Sequence, residues 1–362
     1  MNRAFTIAFL LLGFSVPGFT QTNQSKLQWH DARQLTVEGK GWAATKEFYD
    51  RLPEEAEKNV RSPVWALSRD SAGMAVRFIT DATEISVRWT LRKEALAMPH
   101  MPASGVSGVD LYVKEKKSWH WLAAARAEKY PQNEKVLVKN LKSGVREFIL
   151  YLPLYNGVLD LAIGVPEGVT VSAAPVRERK PLVFYGTSIV QGGCAARPGM
   201  AYPAILGRKL DRATINLGFS GNALAEPEIA LLLAQLDVAA YILDSLPNMQ
   251  PEMVTQRMEP FIKILREKHP KTLIVLVENV EYPDGKFVEP RRLHYSDCNA
   301  RLRSVFQKRV KAGDKNLFYI PAENLFGKDS EATVDGSHPT DLGFMRMAEA
   351  MDPILRRVIS KR

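Results

Sequence analysis

The apolar positions of this chain follow two rhythms. Between about Trp29 and Val171 they alternate with polar ones in short runs, among them Met74–Ile79, Glu84–Thr90, Gly108–Val113, Ser118–Leu122, Arg146–Leu152 and Val158–Ile163. Alternation with a period of two, bounded by turn residues, predicts half-buried strands. The front half therefore reads as an all-β sandwich or jelly-roll-like domain. After Pro181 the apolar runs become continuous: Leu182–Tyr185, Thr214–Leu217, Ala240–Leu243, Leu273–Val277 and Leu317–Ile320. Such runs suit strands buried on both faces, as in a parallel sheet covered by helices. Helix-length segments alternate with them over Ala201–Leu210, Pro227–Leu236, Pro251–Lys268, Asp297–Val310 and Asp341–Val358. Pro227 and Pro251 stand where a first helical turn accepts proline. The expected fold is a doubly wound, five-stranded α/β domain preceded by a β-rich one.

The amino terminus has its own pattern. Arg3 precedes an apolar run from Ala4 to Phe14, and Pro17-Gly18 breaks it before the polar stretch Gln21–Gln24. This is the layout of a secretory signal peptide, shorter than the roughly 20 residues a membrane span requires. The expected organisation is a leader over 1–21, a β-domain over 22–178 and an α/β domain over 179–362. The product is an exported protein, periplasmic or extracellular, with no membrane insertion. No Cys follows the leader at the position of a lipid anchor, and Cys194 and Cys298 are the only two in the chain. A single bridge between them is open to an exported protein; two separate buried thiols is the favoured reading.

Composition narrows the class. With 46% hydrophobic and 25% charged residues over 362 positions, the chain is an ordinary globular one. The net charge of +9 is dispersed, and its densest patches, Arg177–Lys180 and Lys268–Lys271, are short. No basic stripe interleaved with aromatics accompanies them, so nucleic acid is not an expected partner.

In open parallel sheets ligands bind beyond the carboxyl ends of the strands. Four such ends carry chemistry. The first strand leads into Gly186-Thr187-Ser188, a serine in a tight strand-to-helix turn, without the lysine of a phosphate loop or the glycine spacing of a dinucleotide fingerprint. The second leads into Gly218-Phe219-Ser220-Gly221-Asn222 and the third into Asp244-Ser245-Leu246-Pro247-Asn248. After the fifth comes Asp335-Gly336-Ser337-His338-Pro339. Each has a plain reading as a helix cap, a turn glycine, an Asx turn or a loop histidine. A serine hydroxyl, however, needs an adjacent base to become a nucleophile. His338 can exchange a proton near neutral pH, and Asp335 can orient its ring.

Together, Gly-Thr-Ser188, Asn-Leu-Gly-Phe-Ser-Gly221-Asn, Leu-Pro-Asn248 and Asp335-Gly-Ser-His338-Pro resemble the four blocks of the SGNH (GDSL-type) esterase and acylhydrolase superfamily, over about residues 181–360. Thr187 replaces the more common aspartate. Gly108-Val109-Asp110-Leu111-Tyr112 is similar to the GxDLY motif of a β-rich module that precedes such domains in exported bacterial proteins. The resemblance implies a flavodoxin-like sheet, Ser188 as nucleophile, His338 as base and Asp335 as its orienter. It also implies an oxyanion hole formed by the amides of Ser188 and Gly221 and the side chain of Asn248, with no metal and no cofactor. The subgroup is linked to glycan de-esterification, so the expected substrate is a small acylated carbohydrate or oligosaccharide. A lipid or thioester acylhydrolase is the first alternative, and an inactive glycan-binding protein the second.

The other polar candidates are less constrained. His30, His100, His120, His269 and His294 lack the spacing of a zinc site. His120, between Trp119 and Trp121, invites a sugar-stacking reading, but a strand with alternating core aromatics is the favoured one. His100, in the loop before Gly108, would contact substrate if the β-domain packs over the crevice. Arg197 could clamp a substrate carboxylate or hydroxyl, or serve a structural ion pair. Glu278, ending the fourth strand, could line the pocket.

Overall fold

The computed structural model describes residues 26–360, so the expected leader lies outside the described residues. Among the described residues ten strands occupy the front half: β1 (Leu27–Asp31), β2 (Thr36–Glu38), β3 (Ala75–Thr80), β4 (Ile85–Leu91), β5 (Val109–Glu115), β6 (Ser118–Ala125), β7 (Gln132–Val138), β8 (Arg146–Tyr151), β9 (Val158–Pro166) and β10 (Val171–Ala173). They form two antiparallel sheets, β1-β9-β4-β7 and β10-β3-β8-β5-β6, with β2 also paired to β3. Alternation puts Ile85, Val87, Trp89, Leu161 and Ile163 of one sheet against Val76, Phe78, Leu111, Phe148 and Leu150 of the other. Burying each side chain of this size contributes roughly 1.5–3 kcal/mol. The strand β7, Gln-Asn-Glu-Lys-Val-Leu-Val, escapes sequence reading because an edge strand with exposed positions carries no clean alternation.

The second half is a fully parallel sheet of β11 (Leu182–Gly186), β12 (Thr214–Gly218), β13 (Ala240–Asp244), β14 (Leu273–Val277) and β15 (Leu317–Ile320), ordered β12-β11-β13-β14-β15. The first four strands are buried at every residue, as their continuous apolar runs require. Helices Pro227–Leu233, Pro251–Lys268 and Glu289–Lys311 cover one face; Tyr202–Leu210 and Asp341–Ile359 cover the other. The helix expected from Asp297 begins at Glu289, with Pro290 in its first turn. Its first turns are polar and show no apolar period to announce them. Because β12 and β13 flank β11 on opposite sides, the order reverses at β11, and the ligand crevice of such sheets opens there.

The two halves share their cores. Leu52, Ala56, Val64 and Trp65, from the segment between β2 and β3, pack with Ile215, Leu217 and Phe219. Met101, Val106, Leu154 and Tyr155 join Phe184, Ile189 and Tyr202 on the other face. The outer side of the second sheet adds Tyr112, Ile149 and Tyr151 against Ala204.

One buried group in this core titrates. Asp244, at the end of β13, accepts a 2.8 Å hydrogen bond from the Tyr202 hydroxyl, and burial pushes its carboxyl up to about 7 despite that bond. Its neutral form therefore favours the folded state; this contribution is full below about pH 4 and is lost as pH rises through 7. Asp244→Asn, always neutral, is expected to raise Tm relative to the parent increasingly between pH 5 and pH 8, measured by calorimetry. A constant difference across that range would assign the ionisation elsewhere.

Candidate active site

At the end of β11, Thr187 accepts the amide of Ile189 on its Oγ1 at 3.2 Å and so caps a single helical turn, Ser188–Gln191. Threonine and aspartate are both effective caps, which explains why the replacement in this block is tolerated. Heading the turn, Ser188 has an amide with no partner inside the helix. The turn packs tightly on β12, where a Cβ at Gly218 would lie 2.1 Å from the Gln191 amide nitrogen. Glycine is needed there for the two strand ends to meet.

Ser188 Oγ stands 2.8 Å from His338 Nε2, and His338 Nδ1 stands 2.7 Å from Asp335 Oδ2. The other carboxylate oxygen of Asp335 accepts the amides of Ser337 at 3.0 Å and His338 at 2.8 Å. Partial burial pushes the Asp335 carboxyl up, but these N–H donors and the imidazole outweigh it and hold the group below its ordinary value. An ionised Asp335 can only accept. The proton of His338 therefore sits on Nδ1, leaving the Nε2 lone pair to receive the Ser188 hydroxyl. From the helix Glu289–Lys311, Arg291 reaches this loop, donating to the Gly336 carbonyl at 2.6 Å and to Ser337 Oγ at 2.9 Å.

The loop after β12 supplies the opposite wall. Gly221 adopts φ +69°, the left-handed region, with nothing within 4 Å of the place a side chain would take. Asn248 Oδ1 accepts the Ala223 amide at 3.4 Å, which leaves Nδ2 as that side chain's donor. Gln191, fully buried, accepts the Ser220 amide at 3.1 Å and donates to the Leu154 carbonyl at 3.0 Å and to Asp70 at 3.3 Å. Arg51 is also buried; it donates to the carbonyls of Gly218 at 2.7 Å and Asn216 at 3.1 Å. Arg61 grips Asn222 through its side chain at 2.9 Å and its carbonyl at 2.8 Å. Thus Arg61 of the front half holds the loop that carries Gly221, Arg51 holds the end of β12 from which it springs, and Asp70 and Leu154 hold Gln191, which bonds its Ser220 amide.

Residues 179–356 match the model of the GDSL-like lipase/acylhydrolase family, and residues 27–171 match the GxDLY model, the N-terminus of the SGNH hydrolase-type esterases. A protein from Bacteroides ovatus described as a GDSL-like lipase is 34% identical, over 92% of this chain and 98% of its own, with a TM-score of 0.88. This chain belongs to the GDSL-like lipase/acylhydrolase family. The salicylyl-acyltransferase SsfX3 of a tetracycline biosynthetic pathway shares the fold at 18% identity, covering 94% of this chain and 98% of its own with a TM-score of 0.73. So does the acetyl xylan esterase Est2A of Butyrivibrio proteoclasticus, at 14% identity, 93% and 99% coverage and a TM-score of 0.60. No curated protein matches the chain.

Within this GDSL-family esterase, not every candidate residue faces the crevice. Arg197 donates to Asp110 at 2.7 Å and to the Tyr112 hydroxyl at 2.5 Å; it is the structural ion pair, engaged by the β-domain rather than by substrate. Glu278 is buried and saturated by Arg303 at 2.6 Å, the Tyr319 hydroxyl at 2.5 Å and the Ala322 amide at 2.7 Å, which leaves it no role as a pocket wall. His100 does lie beside the site: its exposed ring is centred 6.1 Å from that of His338. Cys194 and Cys298 are free and buried, and burial pushes their thiols up to about 12 and about 11. Among the described residues no cluster of His, Cys, Asp or Glu could hold a metal ion.

The sequence gives no sign of Gln191, Arg51 and Asp70, whose partners lie far along the chain and which belong to no motif. Gln191→Met keeps the volume and removes the hydrogen bonds. It is expected to lower kcat for p-nitrophenyl acetate roughly tenfold, below the 10²–10³ lost with an oxyanion donor itself. The Ser220 amide and its neighbours, left unpaired, would cost about 1–3 kcal/mol in a denaturant titration. An unchanged kcat would show that the loop keeps its place without this tie.

Proposed function

We propose that this protein is an exported serine esterase that hydrolyses acetyl or similarly short acyl esters on carbohydrates through an acyl-enzyme at Ser188. The observation that carries this reading is the unbroken relay of two short hydrogen bonds, 2.8 Å from Ser188 to His338 and 2.7 Å from His338 to Asp335. Ser188 Oγ attacks the ester carbonyl carbon while its proton passes to His338 Nε2. Asp335 stabilises the resulting imidazolium without taking the proton. Negative charge develops on the carbonyl oxygen, and the amides of Ser188 and Gly221 with Nδ2 of Asn248 receive it. Collapse breaks the C–O bond to the sugar, and His338 returns its proton to the departing alkoxide. Water then attacks the acyl-enzyme, again losing a proton to His338; the acyl C–Oγ bond breaks, His338 returns that proton to Ser188 Oγ, and the acid is released.

The choice of a carbohydrate draws support from the front domain, whose fold accompanies the α/β domain in the acetyl xylan esterase of Butyrivibrio proteoclasticus along 99% of that chain. His100 is assigned here to a hydroxyl of the departing sugar. Export is proposed from the apolar run Ala4–Phe14 behind Arg3.

Ser188→Ala is expected to abolish hydrolysis of p-nitrophenyl acetate while leaving Tm nearly unchanged; substantial turnover would remove Ser188 from its role. Asn248→Ala should lower kcat by about two to three orders of magnitude without unfolding the protein. Released acetate from acetylated polysaccharides, set against rates on p-nitrophenyl esters of increasing chain length, tests the substrate. A rate that climbs toward long acyl chains would favour the lipid reading instead.

A further inference from the structure

Trp121 does not behave as its sequence suggests. A strand with alternating core aromatics would bury it, yet 53% of its surface is exposed. The cause is local: opposite Leu111-Tyr112, the register of β6 skips Leu122, pairing Leu111 with Ala123 and Tyr112 with Trp121. An extra residue of this kind is a β-bulge, which bends an edge strand and re-aims its side chains, often beside functional sites. Here Ala123 and Ala125 remain buried while Trp121 turns out to solvent.

The exposed indole is nevertheless held. Its Nε1 donates to Asp110 Oδ1 at 2.9 Å, and Asp110 is wholly buried. The guanidinium of Arg197 lies 5.1 Å from the ring centroid. With the N–H tied down and Arg197 over one face of the ring, the rest of the half-exposed indole is held in place for a ligand. A fixed aromatic plane offers a ligand apolar contact and a negative π surface. That chemistry suits the C–H face of a sugar ring. It also costs little ordering entropy when the ligand arrives. Trp121 is coupled to the site through one segment: Arg197, over its ring, follows the Ser188 turn, and the neighbouring Ala196 amide donates at 2.9 Å to Asp341, which heads the helix after His338.

We propose that Trp121 is a glycan subsite of the β-domain, stacking on a sugar unit of the same chain that presents its ester to Ser188. The proposal rests on the carbohydrate-ester reading given above. It is tested with acetylated xylan and p-nitrophenyl acetate as paired substrates. Trp121→Ala is expected to raise the ratio of the xylan KM to the p-nitrophenyl acetate KM by about five- to tenfold, the worth of one aromatic contact. Trp121→Phe, which keeps a ring, should restore most of it. A second measurement needs no turnover: in native gels containing xylan or glucomannan, the Ser188→Ala protein should be retarded, and the Ser188→Ala/Trp121→Ala protein should run freely. An unmoved KM ratio, or retardation indifferent to Trp121 or absent with both polymers, would overturn the subsite. Were retardation to depend on Trp121 while no acetylated polysaccharide released acetate, the subsite would stand and the carbohydrate-ester reading would fall.

Discussion

The buried carboxylate of Asp110 is a polar joint between the two halves of the molecule, set beside the apolar cores they share. Beside its bond to Trp121, it accepts the Gly199 amide at 2.9 Å and the Arg197 guanidinium at 2.7 Å, both from the segment that follows the Ser188 turn. Burial pushes its carboxyl up, opposed by Arg197 and the N–H donors. A charge withdrawn from water in this way is tolerated because its lone pairs are filled, and removing a partner of such a pair typically costs about 3–5 kcal/mol. Tyr112, from the same motif, accepts from Arg197, and the guanidinium of Arg208 lies 4.0 Å from the centroid of its ring. Leu111 between them faces the sandwich core. The motif is thus a joint: its alternate residues face the α/β domain, and the one between them anchors the joint to its own sheet.

Seen from the site, this joint has a purpose. A parallel sheet brings strand ends close together, but the loops beyond them are loosely determined by the sheet alone. Here the loop with Gly221 is gripped by Arg61 from the front half, Arg51 fixes the strand end before it, and Gln191 ties it to the turn of Ser188. The loop with His338 is gripped by Arg291 from the α/β half. Guanidinium groups suit this task because a planar fork of donors can fix several carbonyls at once.

Much of this architecture was legible in the sequence for a physical reason. Continuous apolar runs are forced on a strand covered on both faces, so β11 to β15 announce themselves, and the chemistry at their carboxyl ends follows from the chain direction. Period-two runs did the same for the central strands of the sandwich. Ser188, His338 and Asp335 stand out as candidates because acid–base chemistry restricts residue type, and the fold brings the three side chains within hydrogen-bond reach. Where the outcome depended on contacts between distant segments, sequence pattern carried no signal. Arg51 looks like any surface arginine until a core closes around it, and sequence leaves Arg197 open between a substrate clamp and a structural ion pair until Asp110 claims it. The favoured core reading of Trp121 fails because the extra residue Leu122 separates its side of β6 from that of the buried Ala123 and Ala125, a register detail that alternation does not carry.

The shared cores carry an evolutionary consequence. Leu52, Val64 and Trp65 pack inside the apolar cluster of the α/β half, while Met101, Leu154 and Tyr155 complete the cluster on its other face. A tethered binding module can be shuffled from one enzyme to another because its linker is its only obligation. The front half of this chain has no such freedom, and any lineage that exchanged it would have to rebuild the floor of the hydrolase at the same stroke. Its history should therefore be one of joint descent, the two halves diverging in step.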